Sequence, residues 1–287
     1  QYVYVLLVPR LVDNDYLIQT TKTQFTRKLE KIDHPLIRET LKYYNIRNKV
    51  HVGTYSTVPT RTGLGSSSAM VVGLINCINK YKNLKLSNKR IVEDAYKIER
   101  KICKQHGGWQ DQIVSQYGSI LDIKISKKEK IDVRKIKVSD KIENIIKNNL
   151  LLVYTKQKRD SSNVILSQKK RIKNILKYYN QIKLFNKPIL DAFKKSNIVN
   201  IGKIFNQHWN LKKSLSSKIT NKSIDKFYSN LISKYKVIGG KLIGAGGGGF
   251  ILVCTKDKKD LCKKLNDNKI DYINFNLEQD GSKIINS

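Results

Sequence analysis

From Tyr2 to Val8 the chain is β-rich, with the two-residue alternation of a strand, and Tyr16–Gln19 reads as a second short strand. His34–Tyr44 has the apolar spacing of a helix. Val50–Val58 reads as a strand leading into Pro59. After a turn rich in glycine and serine, Val71, Leu74, Ile75 and Ile78 recur at i, i+3, i+4 and i+7. That spacing is one face of a helix over Ala69–Lys80. Ser87 can cap a further helix whose inner face would be Ile91, Ala95, Ile98 and Ile102 and which Gly107-Gly108 would end. Ser119–Ile125 and Leu150–Thr155 read as strands, and Lys127–Lys147 has room for a strand and a short helix.

The character changes from Ser161, where helical spacing runs over about 162–184, 189–196, 199–214 and 222–235. Strands at Lys241–Ile243 and Phe250–Cys254 flank a glycine turn, followed by a helix over Asp257–Asn266 and a last strand at Tyr272–Asn276. Strands and helices are mixed on both sides of a seam near 148–160. The pattern therefore predicts two α+β parts, 1–150 and 151–287. No internal repeat or low-complexity linker interrupts it.

Composition narrows the function classes. With 287 residues, 40% apolar content and only 4 prolines, the chain has the means to bury a core and is not a disordered polymer. Its apolar runs are too short to span a bilayer, and no basic-then-apolar signal segment opens it. The cysteines, at 77, 103, 254 and 262, lack CxxC spacing, which argues against a zinc ribbon or a disulfide framework and for a reducing cytoplasm. The net charge of +33 invites a nucleic-acid reading. The lysines are spread over almost every segment, however, with no basic tail, arginine patch or RNA-stacking motif. A lysine-coated surface that favours small anionic ligands fits better.

Three glycine-containing motifs carry the chemistry. In Pro59-Thr60-Arg61-Thr62-Gly63-Leu64-Gly65-Ser66-Ser67-Ser68-Ala69, a strand feeds a glycine loop and the loop feeds a helix. Backbone N–H groups at such a helix start form an anion site, reinforced by the helix dipole. The motif is not a Walker A loop, because no lysine follows the second glycine. In Gly107-Gly108-Trp109-Gln110-Asp111-Gln112, a carboxylate follows a glycine break, where it could accept or orient a hydroxyl proton. Glu99, twelve residues earlier, could bind Mg²⁺, which favours oxygen ligands. In Gly239–Phe250, four successive glycines between apolar strands allow a close backbone approach.

In this order the three motifs resemble those of the GHMP kinases. GLGSSSA is similar to the ATP-phosphate loop of that superfamily, and GAGGGGF to its C-terminal glycine motif. GGWQDQ, Arg159-Asp160-Ser161-Ser162 and His208–Ser216 are similar to a narrower group, the D-glycero-D-manno-heptose 7-phosphate kinases, and fucose-type kinases share parts of them. The resemblance implies a two-domain α+β fold, with a mixed-sheet ATP domain, a ferredoxin-like C-terminal domain and an active site in the cleft between them. It implies ATP and Mg²⁺ as cofactors, and a cytoplasmic enzyme whose partners are ATP and a sugar phosphate, used to make activated heptose for a surface polysaccharide. Asp111 falls on the catalytic aspartate, and Ser67 and Glu99 on the Mg²⁺ ligands. Pro59, Thr62, Gly63, Leu64, Gly65, Ser66, Ser67 and Ser68 fall on the ATP loop. Arg159, Ser161, Ser162, Gly246, Gly247 and Gly248 fall on positions that hold substrate or support the site. Kinases of this type also carry an earlier strand and glycine-rich turn. Gln1–Val8 resembles the strand after that turn, which implies that some tens of residues precede Gln1.

Overall fold

A computed structural model of the protein describes residues 2–57, 62–157 and 161–285, with only the backbone at Ser161. The chain divides into two compact units. The first comprises Gln1–Pro59, Gly65–Lys137 and Glu278–Ser287, and the second Thr60–Leu64 and Val138–Leu277.

The first unit opens with β1 (Val3–Pro9), β2 (Tyr16–Gln19), β3 (Thr23–Thr26), helix α1 (Pro35–Tyr43) and β4 (Val50–Ser56). The strands form one sheet in the order β1-β4-β2-β3. β4 pairs antiparallel with β1 and parallel with β2, so the sheet is mixed. Helices α2 (Ser66–Tyr81), α3 (Asn88–Tyr96) and α4 (Gln110–Tyr117) follow, then the hairpin β5 (Leu121–Ile125) and β6 (Ile131–Lys135). Val71, Leu74, Ile75 and Ile78 of α2 are fully buried, and they join Ile18, Leu41 and Val52 in one core. Burying such a stripe stabilises each side chain by about 1.5–3 kcal/mol, which holds α2 on the sheet.

Helix α3 departs from its sequence pattern in a way that matters for the site. Ser87 caps it, its side chain accepting from Arg90 N. Ile91, Ala95 and Ile98 point inward, but Ile102 is 39% exposed. The helix widens into a π turn over Lys97–Ile102, closed by a bond from Cys103 N to Ile98 O at 2.9 Å, and ends there rather than at Gly107-Gly108. The extra residue in the turn rotates the phase, so Ile102 swings out and Glu99 turns in. Such bulges often mark functional positions.

The second unit contains α5 (Asp140–Asn149), β7 (Leu150–Tyr154), five helices, β8 (Gly239–Leu242), β9 (Phe250–Cys254), α11 (Lys258–Asp267) and β10 (Tyr272–Ile273). The five are α6 (Ser161–Lys170), α7 (Ile172–Lys183), α8 (Asn186–Lys194), α9 (Ile198–Lys213) and α10 (Lys222–Ser233). The stretch expected to be one helix over 162–184 is thus two, broken at Arg171. The sheet order is β10-β7-β9-β8, every pair antiparallel. Counted within the unit this is strand order 4-1-3-2, the ferredoxin-like arrangement. Trp209, Leu231, Leu242, Ile251, Val253 and Leu261 anchor its core.

His208 on α9 belongs to the packing of this unit. Burial, helped by the nearby Lys241 and Lys212 charges, pushes its imidazole down to about 3. It therefore stays neutral in the fold while the unfolded chain takes up a proton below its ordinary value of 6.5. The unfolded state binds more protons, so stability falls as pH drops from about 6.5 towards 3, at up to about 1.4 kcal/mol per pH unit. His208→Asn should flatten this slope. Thermal melts of both proteins at pH 7, 6 and 5 measure the difference, and parallel curves would refute the assignment.

Candidate active site

Gly65 is the left-handed N-cap of α2, with φ +73°, a conformation that favours glycine. The first intrahelical bond runs from Ala69 N to Gly65 O at 3.0 Å. The amides of Ser66, Ser67 and Ser68 precede that bond and lie at the positive end of the α2 dipole, where an anion is favoured. A Cβ on Gly65 would sit 3.4 Å from both Cβ and Cγ of Asp111. The aspartate is therefore packed directly against the start of α2. It stands in the first turn of α4, where the helix dipole also favours a carboxylate.

Glu99 is the hub of the site. It is fully buried, and its two oxygens gather four side chains. Ser67 Oγ donates to Oε1 at 2.8 Å, and Ser68 Oγ to Oε2 at 2.7 Å. Gln112 Nε2 donates to Oε2 at 2.6 Å, and Arg100 Nη1 lies 3.2 Å from Oε1. Arg100 is itself buried, at 8% side-chain exposure, and its guanidinium also reaches Ser68 Oγ and the carbonyl of His106, each at 3.4 Å. The pair is buried, and the two charges compensate each other through Arg100 Nη1, while Arg100 Nε stays buried without a hydrogen-bond partner.

Local sequence explains how α4 is presented. A Cβ on Gly107 would lie 2.5 Å from Arg100 Cζ, so the glycine makes room for the guanidinium. Trp109, the N-cap of α4, stacks on Tyr96 of α3 with ring centroids 3.5 Å apart and planes 4° from parallel. That stack ties the start of α4 to the helix that carries Glu99. Burial pushes the Tyr96 phenol above its ordinary value.

The structure therefore brings together Gly65, Ser67, Ser68, Glu99 and Asp111 of the residues read from sequence. Ser66 starts α2 beside them. Ser68 is buried and its hydroxyl is committed to Glu99. Thr62 is also buried, and in the second unit Gly249 packs on it: a Cβ there would fall 2.9 Å from the Thr62 carbonyl carbon. Gly63 and Leu64 lead from Thr62 to Gly65, with Gly63 at φ +89°. Gly246, Gly247 and Gly248 all have positive φ. Gly247 N donates to Ile219 O at 2.7 Å, and a Cβ on Gly248 would lie 2.5 Å from Gln157 O. Ser162 lies in the first turn of α6 and is exposed, and Ser161 begins that helix. Pro59 and Arg159, like Val58 at the end of the expected strand, lie outside the described residues.

Sequence reading missed Arg100 and Gln112. Each neighbours a residue that was singled out, and only the π turn and the first turn of α4 bring both onto Glu99. Ser67 Oγ and Glu99 Oε1 form an adjacent pair of hard oxygen donors, which suits Mg²⁺. No cluster of three or more His, Cys, Asp or Glu able to hold a metal occurs among the described residues. An ion that keeps waters and binds phosphate oxygens needs no such cluster.

Comparison with known proteins decides the family. The description "GHMP kinases N terminal domain" matches residues 32–119, and "GHMP kinases C terminal" matches 189–270. The chain belongs to the GHMP kinases. Members of this family use ATP, generally with Mg²⁺. The D-glycero-alpha-D-manno-heptose 7-phosphate kinase of Campylobacter jejuni is 27% identical over 234 residues, 80% of this chain and 69% of that protein. The mevalonate kinase of Methanocaldococcus jannaschii is 30% identical over 246 residues, 84% of this chain and 74% of that protein. Among solved structures, a D-glycero-D-manno-heptose 1-phosphate kinase from Bacteroides thetaiotaomicron superposes with a TM-score of 0.74 at 20% identity, covering 99% of this chain and 88% of its own. That likeness establishes the two-domain GHMP kinase fold. No helix among the described residues is long and apolar enough to cross a membrane.

Proposed function

We propose that the protein transfers the γ-phosphoryl group of ATP to the anomeric C1 hydroxyl of D-glycero-D-manno-heptose 7-phosphate, giving the 1,7-bisphosphate. The observation that carries the reading is Asp111 packed on Gly65 at the start of α2. A proton acceptor there stands next to the amides that would hold the phosphates. The acceptor O–H bond breaks and its proton passes towards Asp111. The acceptor oxygen bonds to the γ-phosphorus as the bond to the β-phosphate bridging oxygen breaks, and ADP leaves. Ser67 and Glu99 would hold Mg²⁺, which when bound supplies neutralising charge at the phosphate oxygens. Arg100, Ser68 and Gln112 fix the Glu99 carboxylate in place. The remaining work of the protein is orientation, the main source of rate in phosphoryl transfer.

The choice of sugar is supported by the Campylobacter relative and by the GGWQDQ and His208–Ser216 stretches. The higher identity to a mevalonate kinase favours mevalonate as the second reading. ADP release with Mg-ATP should be measured across heptose 7-phosphate, mannose, fucose, galactose and mevalonate. Turnover with heptose 7-phosphate alone is the expected result. Turnover with another acceptor alone would keep the kinase and discard the heptose.

A further inference from the structure

A segment outside both matched family regions packs on the far end of the helices that build the site. Residues 278–285 follow the second unit in sequence but belong to the first. Ser119 N donates to Glu278 O at 2.6 Å, Ser119 Oγ to Gln279 Oε1 at 3.1 Å, and Lys135 Nζ to Gln279 O at 3.0 Å. Tyr2 Oη donates to Glu278 Oε2 at 2.6 Å. That bond, first among its causes, holds the Glu278 carboxyl below its ordinary value. Lys283 closes the turn against Asp280 at 2.5 Å.

The segment meets α4 through two glycines set back to back. Gly118, which ends α4, has φ +63°, and Gly281 has φ +75°. A Cβ on Gly118 would lie 2.8 Å from Gly281 Cα, and one on Gly281 would lie 2.6 Å from Gly118 N. No side chain fits at either position. Beside this contact an amide relay, buried at Gln116 and open to solvent at Asn88, crosses three helices. Asn76 Nδ2 on α2 donates to Ser282 Oγ at 3.1 Å and to Gln116 Oε1 on α4 at 2.7 Å. Gln116 Nε2 donates to Asn88 Oδ1, at the start of α3, at 3.0 Å. The same three helices carry the serines, lead into the turn that bears Glu99, and carry Asp111.

Helix α4 has only eight residues, too few to be stable alone, so its end contacts set its position. Asp111 and Gln116 are about 8 Å apart along its axis. We propose that Glu278–Ile285 is a positioning strap: by clamping the C-terminal end of α4 against α2 and α3, it sets the reach of Asp111 to the acceptor hydroxyl. This rests on the kinase reading above and adds to it a determinant of kcat remote from the reacting atoms. Displacing a reacting group by about 1 Å can cost 10²-fold, so a modest shift of α4 is enough to measure.

The test compares Gly281→Ala, Ser282→Ala and a chain ending at Leu277 with the parent. Turnover, KM for ATP and for acceptor, melting temperature and hydrogen exchange of 110–117 are read for each. Gly281→Ala should lower kcat about 10-fold with KM for ATP within about twofold, and speed exchange in 110–117. Ser282→Ala should do the same more weakly, and it decides the matter if Gly281→Ala or the shortened chain fails to fold. Activity that falls only with the folded fraction, at parental kcat, would overturn the strap. If the parent phosphorylates no acceptor in the panel, the kinase reading fails separately. The clamp is then judged by exchange alone, and unchanged protection in 110–117 overturns it.

Discussion

Asp111→Asn should lower kcat by about 10²–10⁴ while leaving ATP affinity at the parental value, the loss typical of a removed general base. The substitution is nearly isosteric, so packing against Gly65 is kept and only the capacity to take a proton is lost. Steady-state ADP release gives kcat, and binding of a non-hydrolysable ATP analogue gives affinity. A variant within about tenfold of the parent would show that Asp111 orients the acceptor without taking its proton, as a loose, dissociative transition state allows. Parental turnover would remove Asp111 from the mechanism.

The second large effect is on stability. Glu99→Gln leaves the Arg100 guanidinium buried without its carboxylate. Breaking a buried pair by removing one partner costs about 3–5 kcal/mol, on the order of 10 °C in melting temperature for a chain this long. Activity should fall as well if, as proposed, Glu99 and Ser67 hold Mg²⁺, since that oxygen pair loses its charge. The double variant Glu99→Gln, Arg100→Gln should recover much of the stability and none of the activity. The cycle thus separates the two roles. A Glu99→Gln protein that melts with the parent would mean that Arg100 is solvated or finds another acceptor.

Where periodicity and capping act locally, sequence reading worked. The four inward residues of α2, the Ser87 cap and the Tyr16–Gln19 strand are all legible because a 3.6- or 2-residue period writes burial into the chain. The glycine motifs were legible in part because Gly63, Gly65 and Gly246–Gly249 have the positive φ that favours glycine. Three things were not legible. The break at Arg171 has no glycine or proline to mark it. The short strand β3, Thr23–Thr26, alternates but is polar. The π turn inserts a phase shift that no propensity signals, and it hid Arg100 and exposed Ile102. Each of these is settled by tertiary packing. The same holds for residues 278–285, whose hydrogen-bond partners on Tyr2, Ser119 and Lys135 lie more than 140 positions away in the chain.

The π turn at Lys97–Ile102 also says how this stretch can change over time. Its geometry depends on the number of residues between the stacked Tyr96 and Trp109 more than on their identities. Lys97 and Lys101 are exposed and make surface contacts, with the Tyr43 ring and with Glu129, so substitutions there should cost little. Losing one residue would let the helix relax to the ordinary α pitch, rotating Glu99 by roughly 100° away from the serines. The segment is therefore tolerant of substitution and intolerant of deletion, and among descendants of this chain its length should outlast its spelling.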